Sequence, residues 1–114
     1  MIEKVLLDYL NDNLDDPVYM QYPDNAPDRF FILEKTGGNR ENQIAFATFV
    51  LQSYGGTLYE TAAMNLVGIN AMLDAVTLDA VSSVALNSDY NFADTTRKRN
   101  RYQAVFNITH YETE

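Results

Sequence analysis

The sequence predicts a single α+β domain over residues 1–114, in which an antiparallel or mixed sheet of about five strands has two helices packed on one face. Three observations predict this fold. Two segments repeat apolar residues at helical spacing, two segments near the C-terminus alternate apolar with polar residues, and a long apolar run lies between glycine-containing turns. The predicted order of elements is α-β-β-β-α-β-β.

The first quarter of the chain predicts a helix, a short strand and a turn. Ile2 to Leu14 carries apolar residues near i, i+3 and i+4 with acids on the other side, and Pro17 ends this amphipathic helix. Val18 to Gln21 predicts a short strand. The Pro-, Asn- and Asp-rich segment Tyr22 to Asp28 then turns the chain.

Two strands come next, and the second predicts the centre of the sheet. Arg29 to Thr36 is a strand, and Gly37 and Gly38 predict a flexible hairpin loop before the next strand begins near Gln43. Ile44 to Tyr54 is apolar on both faces. We therefore expect helices on one face of this strand and a second layer or a neighbouring subunit on the other, which favours oligomerisation.

A second helix begins after Gly55 and Gly56. Thr57 and Glu60 have the spacing of a capping box, in which a hydroxyl and a carboxylate satisfy free amides. Gly68 in mid-helix costs about 1 kcal/mol unless close packing needs the missing side chain. The predicted buried stripe is Leu58, Ala62, Leu66, Ile69, Leu73 and Val76.

The last two strands form an antiparallel hairpin. Leu78 to Ser82 links the helix to the first of them, and Ala93 to Asn100 is a polar, exposed loop between them. Alternation places one face of each strand on the core. The predicted core-facing residues are Val84, Leu86, Ser88, Tyr90 and Phe92 in the first strand and Tyr102, Ala104, Phe106, Ile108 and His110 in the second.

No reactive constellation stands out. Cysteine is absent, the single histidine, His110, falls on the apolar face of a strand, and the acids Asp12, Asp15 and Asp16 lack the glycine and distal glutamate of a calcium loop. We therefore predict no enzyme, no cofactor and no metal. No apolar run approaches a membrane span, the N-terminus does not resemble a signal peptide, and the net charge of −8 argues against broad nucleic-acid binding.

Half of the eight basic residues fall within five positions: Arg97, Lys98, Arg99 and Arg101. This cluster predicts docking to an acidic partner, to a neighbouring subunit or to DNA phosphates, or else a solvated hairpin that discourages edge pairing. Gly37, Gly38 and Arg40 lack the Walker spacing and lysine of a phosphate cradle. We interpret them as a mobile hairpin that becomes ordered on assembly.

Several segments resemble small tail proteins of long-tailed phages and Gram-positive prophages, in particular the tail-terminator or tail-completion group. The similar residues are Asn87 to Phe92, Asp94-Thr95, Lys98-Arg99, Arg101 to Phe106 and Ile108 to Tyr111, together with Pro27 to Phe30 and Leu33 to Gly37. A neighbouring head-tail connector family has a similar pattern. The resemblance brings no catalytic motif.

The resemblance implies a structural protein of the virion tail that assembles in the host cytoplasm. It would form a homo-oligomeric ring, typically a hexamer, that contacts the tail tube protein and the head-connector protein, with DNA only as passing cargo. We expect the subunits to meet along sheet edges. The alternative is a small monomeric binding module or inhibitor that docks an acidic partner through the basic hairpin loop.

Overall fold

The computed structural model describes residues 1–111 and confirms an α+β fold. Its elements are α1 (Ile2–Asn13), β1 (Val18–Tyr19), β2 (Phe30–Glu41), β3 (Ile44–Gly55), α2 (Leu58–Asp74), β4 (Val81–Asn91) and β5 (Asn100–Tyr111). A short 3-10 turn, Ala75–Thr77, follows α2. The order of helices and strands is the predicted one.

The five strands form one mixed sheet in the order β1-β2-β3-β5-β4. β1 is parallel to β2, and every other pair is antiparallel. β3 lies at the centre, as predicted. Both helices contribute to a single core on one face of the sheet, where Phe49 of β3 and Phe106 of β5 are fully buried beside Leu6 of α1 and Met72 of α2.

The predicted amphipathic character of α1 is confirmed. Ile2, Leu6 and Leu10 are buried at helical spacing, whereas Lys4 and Asp8 form an exposed ion pair of 2.7 Å on the opposite side. The helix thus covers the core with one face and meets water with the other.

The predicted start of α2 is also confirmed, and its predicted buried stripe is correct at Ile69, which is buried, and at Leu73, which packs against the core, but wrong at three other positions. Thr57 Oγ1 accepts a hydrogen bond from the Glu60 amide, and Glu60 Oε1 accepts one from the Gly56 amide. Leu58, Leu66 and Val76 are exposed. The residues that face the sheet are instead Thr61, Met64, Asn65, Gly68, Ile69 and Met72.

Gly68 explains why this side of α2 faces inward. A Cβ at this position would lie 2.8 Å from Leu51 Cδ2 and 3.1 Å from Phe31 Cε1, so the glycine lets the helix axis approach the sheet closely. Close approach leaves room for small and flexible side chains against the sheet. Leu66 and Val67 point outward, whereas Met64, Ile69 and Met72 pack against the sheet beside Gly68.

The β2–β3 turn lies beyond the position predicted for it. Gly37 and Gly38 belong to β2, with a bulge between Lys35 and Gly37, and the strand continues to Glu41. The chain turns at Asn42 and Gln43, where φ is 52° and 69°. Two consecutive positive φ angles are the geometry of a tight two-residue hairpin turn, which needs no glycine when asparagine occupies the first position.

A bulge in β4 corrects the predicted face of that strand. β4 begins at Val81, before the predicted start, and its register with β5 shifts between Leu86 and Ser88. Leu86 pairs with the core residue Phe106, but Tyr90 pairs with Gln103, which lies on the opposite face. One inserted residue reverses the alternation, so Ser88, Tyr90 and Phe92 lie on the helix-free face and not on the core.

Candidate functional site

The helix-free face of the sheet is covered in part by the chain itself. At one end, Phe30 and Tyr54 stack with ring centroids 4.7 Å apart, and Tyr22 packs edge-on against both rings. Here the segment that follows β1 supplies the second layer. The two-sided apolar pattern of β3 is therefore partly explained within one chain, without a neighbouring subunit at this end.

A buried aspartate anchors the β4–β5 loop to these rings. Asp94 is 4% exposed, and its Oδ2 accepts a hydrogen bond of 2.9 Å from the Tyr54 hydroxyl. The backbone amide of Arg97 donates to Oδ1 at 3.1 Å, and the Arg97 guanidinium donates to Oδ2 at 3.2 Å. The loop predicted to be exposed thus has an internal hydrogen-bonded support.

The three arginines of the basic cluster are all held within the fold. Arg97 lies 4.0 Å above the Tyr22 ring, and Arg101 lies 4.2 Å from the Phe92 ring centroid. Arg101 Nε donates to the Phe92 carbonyl and Arg99 Nη2 donates to the Asp28 carbonyl, both at 2.6 Å. Cation–π stacking and charge-assisted hydrogen bonds fix these side chains in place. We call these residues, with Tyr54 and Asp94, the arginine–aromatic cluster.

Lys98 differs from its neighbours. It occupies the tip of the loop with φ of 55° and an exposed side chain. Of the four predicted docking residues, Lys98 is therefore the one whose charge is available without disturbing contacts of the arginine–aromatic cluster.

The electrostatics of the cluster follow from its hydrogen bonds. Burial raises the pKa of Tyr54, and its hydrogen bond to Asp94 raises the pKa further, against the opposing effect of Arg101. Burial alone would raise the pKa of Asp94, but hydrogen bonds from the Arg97 amide, Tyr54 and the Arg97 guanidinium outweigh it and hold the pKa below its usual value. The charged carboxylate therefore stabilises the loop.

The other predicted assembly residues, Gly37, Gly38 and Arg40, lie toward the opposite end of the sheet. They pair with Thr48, Ala47 and Ala45 of β3, whereas Arg101 pairs with Tyr54, six to nine residues further along that strand. At about 3.3 Å per residue this separation is roughly 20 to 30 Å. The structure therefore does not bring the two predicted groups into one site.

Between the two ends, the helix-free face is polar. The Gln52 amide donates to the side-chain carbonyl of Gln103 at 2.8 Å, and the Gln103 amide contacts the Tyr90 hydroxyl at 2.6 Å. These groups satisfy one another across three strands. The middle of this face is consequently suited to water.

Several large apolar side chains remain exposed in the part of the chain described, including the Tyr90–Phe92 pair on the helix-free face, and two groups of them are candidate contact surfaces. The hairpin patch consists of Ile44, Phe46 and Tyr111, which share the far end of the helix-free face. The helix patch consists of Tyr59, Ala63, Leu66 and Val67, which lie at i, i+4, i+7 and i+8 on the outer side of α2. Tyr59, Leu66 and Val67 are 86%, 62% and 56% exposed.

His110 is packed as the alternation predicts, with an exposure of 6%. Its Nδ1 lies 3.0 Å from the Tyr111 carbonyl oxygen, and its Nε2 is buried without a hydrogen-bond partner in the described structure. Within residues 1–111, no group of three His, Cys, Asp or Glu side chains could hold a metal ion, and no helix is long and apolar enough to cross a membrane.

Sequence reasoning missed the aromatic partners of the arginines and the helix patch. Tyr22, Tyr54 and Phe92 come from three separate segments, so no local spacing could pair them with Arg97 and Arg101. The helix patch did have a signal. Apolar residues occur on every side of α2, which is unusual for a helix with one face in water.

Comparison with protein-family models and with curated proteins finds no match for this sequence.

Proposed function

We propose that this chain is a structural protein of a phage virion, similar to a tail terminator, that forms a homo-oligomeric ring on the end of the tail tube. The ring stops tube polymerisation by covering the growing end and joins the tube to the head connector. DNA passes through the ring as cargo. This function needs no bond to be made or broken.

The observation that carries the proposal is the helix patch. Tyr59, Leu66 and Val67 expose large apolar side chains in a continuous stripe on a 17-residue helix. Clustered apolar side chains of this kind mark interaction surfaces more often than single exposed residues do. A partner that covers the stripe would give α2 apolar contacts on its outer face as well as its inner face.

The presence of a second, different apolar surface favours a ring. A two-fold dimer uses one self-complementary surface, whereas a closed ring needs two different surfaces that meet head to tail. The hairpin patch lies on the helix-free face at one end of the sheet, and the helix patch lies on the opposite layer. We therefore place the subunit contact between the hairpin patch of one copy and the helix patch of the next, with the sheet edge at β4 beside it.

The shape of the β4 edge also supports a contact between the hairpin patch and the helix patch. β4 carries two register shifts, after Val81 and after Leu86, and its side chains include Asp89. Bulges and charges discourage continuous strand pairing between copies. Side-chain contacts, and not an extended intersubunit sheet, therefore supply most of the proposed interface.

Ring formation is the direct test. Native mass spectrometry across a range of protein concentrations, and electron microscopy with purified tail tubes, should show a closed oligomer seated on tube ends. A monomer at every concentration that also fails to bind tube protein would contradict the proposal.

The arginine–aromatic cluster affects how the alternative, a monomeric binding module, is tested. Reversing Arg97, Arg99 or Arg101 would remove contacts within the fold, so Lys98→Glu is the cleaner change. Under the proposed function we expect Lys98→Glu to leave the ring intact. Loss of an acidic partner by this variant of a monomeric protein would favour the binding module.

A further inference from the structure

A pocket of about 250 Å³ lies at the end of the sheet that carries the β2–β3 turn, on the side of the helices. β2, β3 and β5 form its floor, and the start of α1 forms one wall. Its lining is mostly polar. The lining includes Ile2, Glu3, Lys35, Gly38, Arg40 and His110.

The start of α1 presents unbonded amides beside this pocket. α1 has 12 residues, and no side chain caps its first turn. The first backbone hydrogen bond of the helix runs from the Val5 amide to the Met1 carbonyl, so the preceding amides lack helical partners. Free amides and the positive end of a helix dipole attract anions.

Lys35 adds a cation to the same pocket. Among residues 1–111, no carboxylate lies within ion-pair distance of its Nζ, and its side chain crosses Gly38. A Cβ on Gly38 would lie 3.2 Å from Lys35 Cε and 2.9 Å from the Phe46 carbonyl oxygen. The absence of a side chain at Gly38 therefore lets Lys35 lie along the pocket. Arg40, from the same strand, is a second basic residue in the lining.

His110 supplies the observation that points to a ligand. Its ring is buried in the wall of the pocket, and its Nε2 has no partner within residues 1–111. A buried polar atom without a hydrogen bond is uncommon in a native fold and calls for an explanation. The Tyr111 carbonyl can only accept a hydrogen bond, so Nδ1 carries the proton and Nε2 of a neutral ring holds a lone pair.

We propose that this pocket binds a small tetrahedral oxyanion, sulfate or a phosphate group, between the first turn of α1, Lys35 and His110. Protonation of His110 converts Nε2 from an acceptor into a donor, so the anion and the proton bind together. The Glu3 carboxylate also lines the pocket and opposes the anion. This site does not depend on the proposed ring.

Sulfate is the probe, because its charge stays constant over the range in which imidazoles titrate, about pH 5.5 to 8. NMR spectra of the full chain, recorded with sulfate at constant ionic strength made up with chloride, should show saturable shifts of the His110 ring and of the Ile2 and Glu3 amides. Sulfate should bind about fivefold more tightly at pH 5.5 than at pH 8, because a protonated imidazole donates a hydrogen bond from Nε2. The His110 ring shifts assign this effect to the pocket.

Removing a positive or a negative charge from the pocket should change sulfate binding in opposite directions. We expect Lys35→Met to weaken sulfate binding about fivefold and Glu3→Gln to strengthen it by a similar factor. Lys98→Met, at the other end of the sheet, removes the same charge from the chain and should leave binding unchanged. Inorganic phosphate should compete with sulfate for the same shifts.

The proposal is wrong if sulfate produces no saturable shift at His110, or if sulfate binds equally tightly at pH 5.5 and at pH 8. It is also wrong if Lys35→Met and Lys98→Met weaken binding equally, because the effect would then be one of net charge only.

Discussion

The two helices pack on the same face of the sheet, yet their outer surfaces differ in kind. α1 presents Lys4 and Asp8 to water, whereas α2 presents Tyr59, Leu66 and Val67. Both helices bury one face in the core. The proposed subunit contact accounts for this difference, because it would cover the outer face of α2 and leave the outer face of α1 in water.

The largest expected effect comes from making the outer surface of α2 resemble that of α1. Leu66→Lys would place a charge inside the proposed interface, and we expect subunit association to weaken by about 3 kcal/mol, or roughly 100-fold. Sedimentation velocity measures the change. The fold should remain, because Leu66 is 62% exposed.

Asp12→Lys is the control, since it introduces lysine at an exposed position of α1 and raises the net charge by two, against one for Leu66→Lys. It should leave association within about twofold of the wild type. Equal dissociation by both variants would mean that net charge, and not the helix patch, governs assembly.

The inner face of α2 gives the next largest effect. Gly68→Val would place side-chain atoms where Leu51 and Phe31 already pack, and we expect a loss of about 2 to 3 kcal/mol in the free energy of unfolding. Denaturant titration measures it. Ala63→Val places the same valine side chain on the exposed side of α2 and should change stability by less than about 0.5 kcal/mol.

The buried carboxylate of the arginine–aromatic cluster predicts an acid-dependent effect. Asp94→Asn should cost about 2 kcal/mol at neutral pH, because it weakens hydrogen bonds that the charged carboxylate accepts from Tyr54 and Arg97. The pKa of Asp94 is lower in the folded chain, so its stabilisation is complete above the ordinary Asp pKa and disappears as pH falls through the lower folded value.

Urea titrations at neutral and acidic pH check this dependence. The stability difference between wild type and Asp94→Asn should shrink as pH falls. A difference that stays constant into the acid range would show that the carboxylate charge does not support the loop.

The smallest effect belongs to the start of α2. Thr57→Ala removes the hydroxyl that accepts from the Glu60 amide, and we expect a loss of about 1 kcal/mol by denaturant titration. Thr57→Ser retains the hydroxyl and should recover most of that loss. Failure of serine to do so would point to the methyl group instead of the cap.

Only part of this fold could be predicted from the sequence. The order of elements, the buried stripe of α1 and the start of α2 follow from local periodicity and capping, which depend on neighbours in the chain. The buried face of α2 could not be predicted from local periodicity, because apolar residues surround that helix. Only the close approach at Gly68 selects the buried side. The same limit applies to β4, where a single bulge reverses the faces beyond Leu86.

The candidate surfaces were harder to predict. The basic cluster was evident from its charge, but its partners Tyr22, Asp28 and Phe92 depend on the tertiary fold. The glycine pair suggested a loop because glycine favours turns, whereas Asn42 and Gln43 adopt the positive φ angles of the turn. Exposed apolar patches become visible only when the core has been assigned.

The central claim, that two different patches join copies head to tail, has one direct test: mixing Leu66→Lys with Phe46→Lys and weighing the products by native mass spectrometry. Each variant alone has lost one side of the contact and should be monomeric. An equimolar mixture retains one intact hairpin patch and one intact helix patch, so it should give a dimer with one copy of each and nothing larger. A mixture that stays monomeric while the wild type assembles, or single variants that still close into rings, would contradict the account.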